Sequence, residues 1–255
     1  MTTTPEKEAA ASRRTTMTSS ELLTPLPLWK RVIDVSFSLM ALPVLALFTL
    51  VMTVMTKLTS PGPVLFRQER VGYLGRRFIC YKFRTMKASA ETASHQAHLA
   101  QLMRSNTPMT KMDSKRDSRL IPGAWLLRAS GLDELPQIIN VLQGQMSLVG
   151  PRPCLPYEYE AYLPWQRERF KAAPGLTGLW QVSGKNRTTF DEMIHLDIRY
   201  TKEKSPMMDL RIIMMTVPAL LMQIGDTRRG RNATPATNTP PPVDLSASSR
   251  PSTSN

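Results

Sequence analysis

From Val35 to Thr56 the chain runs 22 residues without a charge. As a helix that stretch is about 33 Å long, enough to cross a bilayer core. Pro43 lies inside it, where a missing N–H and a bulky ring bend a helix. Lys30 and Arg31 precede the run and Lys57 follows it. Positive charge at both ends favours keeping both ends on the cytoplasmic side. A bent helix that enters the membrane and returns meets both conditions. An ordinary single-span anchor is the alternative reading.

The flanks differ in kind. Residues 1–28 are rich in Thr, Ser, Ala and Glu, and residues 226–255 in Pro, Ser, Thr and Arg, without apolar period. Both read as disordered tails. They carry net charges of 0 and +2, so +11 of the chain's +13 sits on residues 29–225. That excess calls for anionic partners: phospholipid headgroups, a phosphorylated substrate or nucleic acid. The two cysteines, Cys80 and Cys154, show no metal-ligand spacing and form no disulfide framework, which points to a reducing compartment. No secretory signal is visible, because the start is polar and the apolar run lacks a small-residue cleavage pattern.

Between the tails several elements are legible. Val64–Val71 and Arg77–Arg84 read as strands joined through Gly72-Tyr73-Leu74-Gly75, a hairpin. Alternation puts Ile79, Tyr81 and Phe83 on one face and Lys82 and Arg84 on the other. Two cations on one face suit an anion, or simply a solvated surface. Residues 88–104 read as a helix carrying His95 and His98, a spacing that invites a metal. No third ligand is in register, so a polar surface helix is the simpler reading. Residues 105–119 read as a surface loop.

The densest stretch is Arg128–Pro153, RASGLDELPQIINVLQGQMSLVGPRP. Leu135, Ile138, Ile139 and Leu142 recur at helical spacing, with Asp133, Gln137 and Asn140 on the opposite face. Pro136 fits only in a first turn, so the helix is expected to start near Asp133 and to end at Gly144. This places Asp133 and Glu134 at a helix N-terminus, which favours ionised carboxylates by roughly 0.3–1 kcal/mol. Arg128 lies before the pair and Arg152 after it, in a Gly-Pro-Arg-Pro turn. Paired carboxylates flanked by arginines suit chemistry on a phosphate, with a divalent metal between the negative groups. Asp as a plain helix cap is the competing reading.

Farther on, Tyr157, Tyr159, Tyr162, Trp165 and Phe170 interleave with Arg167, Arg169 and Lys171. The mix suits a membrane interface or a base-stacking surface, and the apolar segments nearby favour the membrane. The glycines of PGLTGLWQVSGKNR, residues 174–187, are expected to let backbone N–H groups approach a ligand, with Lys185 and Arg187 adding charge. The stretch is not a Walker A loop. Ile212–Gly225 is uncharged but only 14 residues long and contains Pro218, so it reads as interfacial or packed on the domain.

Taken together, KRVID at 30–34, TSPGPVLFRQERVG at 59–72, YKFRTM at 81–86, LDELPQIINVLQGQMSLVGPRP at 132–153 and PGLTGLWQVSGKNR at 174–187 resemble the bacterial sugar transferase family. Its members are monotopic polyprenyl-phosphate hexose-1-phosphate transferases. The resemblance implies a small, mostly helical α+β domain docked on the membrane, with a re-entrant N-terminal helix, a short β-hairpin and interfacial amphipathic helices. It implies a membrane helix over 29–58 and a catalytic domain over 59–225. It further implies transfer of a sugar 1-phosphate from a UDP-sugar to undecaprenyl phosphate on the cytoplasmic face of the inner membrane, with Mg²⁺ and release of UMP.

On this resemblance Asp133 is the nucleophile, forming an aspartyl phosphosugar, and Glu134 helps hold Mg²⁺. Arg128 and Arg152 are the first phosphate-binding candidates, Lys82 and Arg84 the next, and Lys185 and Arg187 the last. Gln145 stands where members commonly carry an acid, and Trp125 where many carry a base. The chain looks like the short form, without the extra N-terminal membrane helices of some relatives. Phospholipids are expected partners and nucleic acid is not. The sugar, the final glycan and the oligomeric state, homo-oligomers included, stay open. A catalytically idle scaffold of a glycan assembly complex and a membrane-tethered nucleic-acid binder are the alternatives.

Overall fold

A computed structural model of the protein describes residues 26–59, 62–86, 101–102, 105, 107–108, 120–121, 124–185 and 187–232, with side chains to residue 227. Most of the expected tails, together with His95, His98 and most of 88–119, lie outside the described residues.

The chain opens with helix α1, Leu28–Thr59, 32 residues that continue through Pro43. Strands β1, Leu65–Val71, and β2, Arg77–Phe83, form the expected antiparallel hairpin. Its register pairs Phe66 with Lys82, Gln68 with Cys80 and Arg70 with Phe78, so these side chains share one face. Helix α2, Ala124–Ser130, leads into a 3₁₀ turn, Leu132–Glu134, and helix α3, Gln137–Leu142. Strand β3, Ser147–Val149, pairs in parallel with β4, Gly175–Thr177. Between them lie α4, Pro156–Ala161, and a 3₁₀ segment, Gln166–Lys171. Three helices close the fold: α5, Leu179–Val182, α6, Phe190–Glu203, and α7, Pro206–Asn232. α6 starts at a capping box in which Thr189 and Glu192 satisfy each other's backbone N–H groups.

The fold is therefore mostly helical with one short antiparallel hairpin and an apolar N-terminal helix. α1 and the Pro206–Thr227 part of α7 are both long and apolar enough to cross a membrane. Only 17% of each apolar window is buried, unlike a core helix of a soluble protein. Leu39, Met40, Leu47 and Leu50 on α1, and Met214, Val217 and Leu221 on α7, are exposed. α7 is longer than its uncharged segment suggests, because Asp209 is buried in its first turn and helix continues through Pro218 to Asn232. Residues 226–232, read from sequence as part of the C-terminal tail, are thus helical.

The first two turns of α1 are locked to the domain. Lys30 Nζ donates to Asp209 Oδ2 at 2.7 Å, and to the Tyr200 hydroxyl and the Val149 carbonyl, each at 2.8 Å. Arg31 donates to the Val141 and Leu142 carbonyls at 2.6 and 2.5 Å, at the C-terminal end of α3. Asp34 Oδ1 accepts from the Ser147 hydroxyl and the Leu148 N–H, both at 2.9 Å. Lys30 and Arg31 are thus interior ties, where the sequence reads them as membrane-flanking charges. Farther along, Leu45 and Met52 pack with Phe83 and Ile138.

The expectation for residues 157–171 is corrected. Tyr162 and Phe170 sit in the main core with Val71, Trp180, Phe190 and Met193, and Arg169 is fully buried. Trp165 and Arg167 remain at the surface. The period there mixes an inner face with a solvated one, and composition alone does not separate them.

The glycine expectation is corrected for Gly175 and Gly178. A Cβ on Gly150 would lie 2.1 Å from the Ala173 carbonyl, and one on Gly175 2.1 Å from the Gly150 N. One on Gly178 would lie 2.2 Å from the Gly150 carbonyl. These glycines let two backbone segments cross in contact where β3 meets β4, and the approach is to the chain itself and not to a ligand.

Candidate functional site

Asp133 and Glu134 lie on the 3₁₀ turn, not in the first turn of α3. Gly131 enters it with φ 72°, a left-handed conformation natural to glycine. The N–H groups of Glu134, Leu135, Ile138 and Ile139 all bond three residues back. Pro136 has no N–H to contribute, so the chain stays in the tighter 3₁₀ pattern until Gln137. Asp133 is buried and Glu134 is partly exposed.

α3 is buried on both sides. Its apolar residues face the cluster of Phe83, Leu45 and Met52. Its polar side carries Gln137 and Asn140, both buried. Asn140 Nδ2 donates to the Ile79 carbonyl at 2.7 Å, and its Oδ1 accepts from the Tyr81 N–H at 3.1 Å. One side chain thus fixes α3 to β2. The consequence is the contact of Lys82 Nζ with Glu134 Oε1 at 2.7 Å.

Arg128, on α2, donates to the Thr85 hydroxyl at 3.3 Å, which ties it to the chain just after the hairpin. Arg84 is buried, and its guanidinium lies over Gly62. Arg152 donates to Glu158 Oε2 at 3.0 Å. Burial opposes the Arg152 charge most strongly, but Glu158 and Tyr162 together outweigh it and hold the guanidinium pKa above its ordinary value. Burial likewise pushes Glu158 upward, and Arg152 with Arg70 more than offsets this, so its pKa lies below the usual carboxylate range. Arg187, by contrast, is exposed and pairs with Asp226 on α7 at 3.5 Å. Lys185 shares that loop.

Sequence reasoning missed Arg70, Glu158, Arg169 and Asn140. Arg70 lies on the hairpin face that carries Lys82 and donates to the Pro153 carbonyl at 3.1 Å. Arg169 donates to the Arg152 carbonyl at 2.9 Å and is itself paired with Asp197. The Arg152 loop is therefore pinned at three carbonyls, those of Val149, Arg152 and Pro153, by Lys30, Arg169 and Arg70. Strand alternation around Arg70 was the one available signal. Cys80 and Cys154 are fully buried free thiols, and burial pushes Cys154 up to about 12.

The arrangement offers two adjacent carboxylates, one of them, Glu134, paired with Lys82 and within the field of Arg70. Among the described residues no three His, Cys, Asp or Glu side chains group as a metal cage. A hard cation held by one or two carboxylates, with phosphate and water completing its shell, fits this donor set.

Residues 26–223 match the bacterial sugar transferase family. Among curated proteins the chain is similar to the UDP-glucose:undecaprenyl-phosphate glucose-1-phosphate transferase of Caulobacter vibrioides. They share 38% identity over 80% of this chain and 77% of the relative. The exopolysaccharide production protein ExoY of Sinorhizobium fredii is 34% identical over 77% of this chain and 87% of its own length. The galactosyl transferase CpsE of Streptococcus agalactiae is 38% identical, and the match spans 43% of that longer protein.

Proposed function

Given that the chain belongs to the bacterial sugar transferase family, we propose that it transfers a sugar 1-phosphate from a UDP-sugar to undecaprenyl phosphate. The observation that carries the reading is the Asp133–Glu134 pair, set on a 3₁₀ turn beside Lys82, with Arg128 and Arg152 borne by the flanking segments.

In this mechanism an Asp133 carboxylate oxygen attacks the sugar-bearing phosphorus of the donor. The bond from that phosphorus to the bridging oxygen breaks, and UMP leaves with the oxygen. An oxygen of undecaprenyl phosphate then attacks the same phosphorus. The bond to Asp133 breaks, which restores the carboxylate and yields the undecaprenyl diphosphosugar. A carboxylate nucleophile divides one difficult displacement into two easier ones. Arg128 and Arg152 bind and orient phosphate oxygens, since guanidinium forks match them. Lys82 holds Glu134 in place and lowers the repulsion between carboxylate and phosphate, with Arg84 adding charge behind it. Mg²⁺, held by Glu134, would supply further neutralisation of the phosphates. Lys185 and Arg187 stand apart, with Arg187 committed to Asp226, and rank as ligands for the far end of a substrate at most.

Residues 29–58 form the membrane segment and 59–225 the catalytic domain in this account, on the cytoplasmic side of the inner membrane. A re-entrant path for α1 is supported by its inner face. Lys30, Asp34, Leu45, Met52 and Thr56 are buried along nearly its whole length, so the domain accompanies the helix instead of staying at one end. The product would start exopolysaccharide, capsule or related glycan synthesis, and the name of the ExoY relative, an exopolysaccharide production protein, supports the first of these.

The test is to trap the intermediate. Incubation with a UDP-sugar in the absence of lipid acceptor, acid quench and peptide mass analysis should find a sugar-phosphate adduct on Asp133. Turnover by Asp133→Asn at the wild-type rate would overturn the nucleophile assignment.

A further inference from the structure

Arg70 and Arg152 are two guanidinium groups that share a single close carboxylate. Arg152 holds Glu158 at 3.0 Å. Among the described residues Arg70 donates only to neutral acceptors, the Pro153 carbonyl at 3.1 Å and Gln68 Oε1 at 2.7 Å, and its Nε has no partner there. The residue is only 7% exposed. Among the described residues no carboxylate lies within ion-pair distance of Arg70. Glu158 and Glu134 are its electrostatic neighbours, and Lys82 already holds Glu134. One positive charge is therefore buried without a countercharge of its own. Such a charge is costly to keep in a fold, so its retention points to an anion that arrives from outside.

The position of that charge names the anion. Arg70 shares a hairpin face with Lys82 and ties down the residue after Arg152. Its field adds to that of Arg152, which is the more exposed of the two. Resting on the function proposed above, we infer that Arg70, Arg152 and Glu158 form one receptor for a phosphate oxyanion of the nucleoside diphosphate donor. Arg152 touches the phosphate. Glu158 fixes the Arg152 fork. Arg70 is a positioning residue that also supplies the missing charge. The phosphate assigned to it is the sugar-bearing one, which UMP lacks, so the receptor favours the diphosphate and would let UMP leave once the phosphosugar has moved to Asp133.

Equilibrium dialysis of purified protein with UDP and with UMP tests this without turnover. Arg70→Gln should weaken UDP binding about ten- to a hundredfold, the size of a lost charge-assisted interaction, and change UMP binding much less. Arg70→Lys, which keeps the charge, should recover most of the loss. Arg70→Gln combined with Arg152→Lys should be less than additive, because both act on one phosphate. Thermal melting of each variant separates folding from binding. UDP affinity unchanged in Arg70→Gln, equal losses for UDP and UMP, or no advantage of Arg70→Lys would overturn the inference. If wild type binds neither UDP nor inorganic pyrophosphate, the donor reading itself fails, and this inference falls with it.

Discussion

Replacing Lys30 with Met removes a buried cation and leaves its partners behind. Lys30 and Asp209 are each 1% exposed and 2.7 Å apart. Tyr200 still donates to Asp209 Oδ1 at 2.7 Å, but the carboxylate then has no countercharge, and the Val149 carbonyl loses the Lys30 donor. Breaking a buried pair from one side costs about 3–5 kcal/mol. For a chain of this size that lowers the melting temperature by about 6–20 °C. Urea titration in detergent, followed by tryptophan fluorescence, measures it, since Trp29 lies beside Lys30. The double variant Lys30→Met/Asp209→Leu replaces the pair by apolar groups and should recover most of the loss, because neither charge is then stranded. A loss below about 1 kcal/mol in the single variant is what a solvated, membrane-flanking lysine would give. That result would refute the docking of α1 onto α7.

Further expectations follow from the same packing. Glu158 has a folded pKa below its unfolded value near 4.5, so its contribution is full above that pH and is lost as the pH falls through the folded value. The stability gap between wild type and Glu158→Gln should be constant at neutral pH and shrink below pH 4.5, and a gap that widens in acid would contradict the pairing with Arg152. Gly175→Ala places a methyl 2.1 Å from the Gly150 nitrogen, and should abolish soluble, folded expression in detergent while Gly225→Ala, with open space around it, does not. Cys154, buried and pushed up to about 12, should resist maleimide at pH 7 until the protein is unfolded, and rapid labelling of native protein would show the loop to be open.

The sequence carried the hairpin and its Gly72–Gly75 connection, the apolar helix and the Asp133–Glu134 pair. These are short-range features, set by alternation, apolar run length and Pro136. It misplaced what depends on long-range contact. Helical spacing puts Asn140 on the face opposite the apolar stripe but does not show that this face is buried as well, which it is because β2 covers that side of α3. Arg169 reads as a membrane-facing cation, yet Asp197, 28 residues away, neutralises it inside the core. Lys30 finds its partner 179 residues downstream. No local period encodes such partners. The glycines of 175–178 were visible as unusual, but a ligand and a crossing backbone demand the same absence of Cβ, so the sequence could not tell the two apart.

The most direct measurement is UMP release by purified protein in detergent, with Mg²⁺, undecaprenyl phosphate and a panel of UDP-sugars. The account predicts release with one or a few sugars, abolished by EDTA and by Asp133→Ala. Folded protein that releases no UMP from any UDP-sugar, or an Asp133→Ala variant as active as wild type, would contradict it.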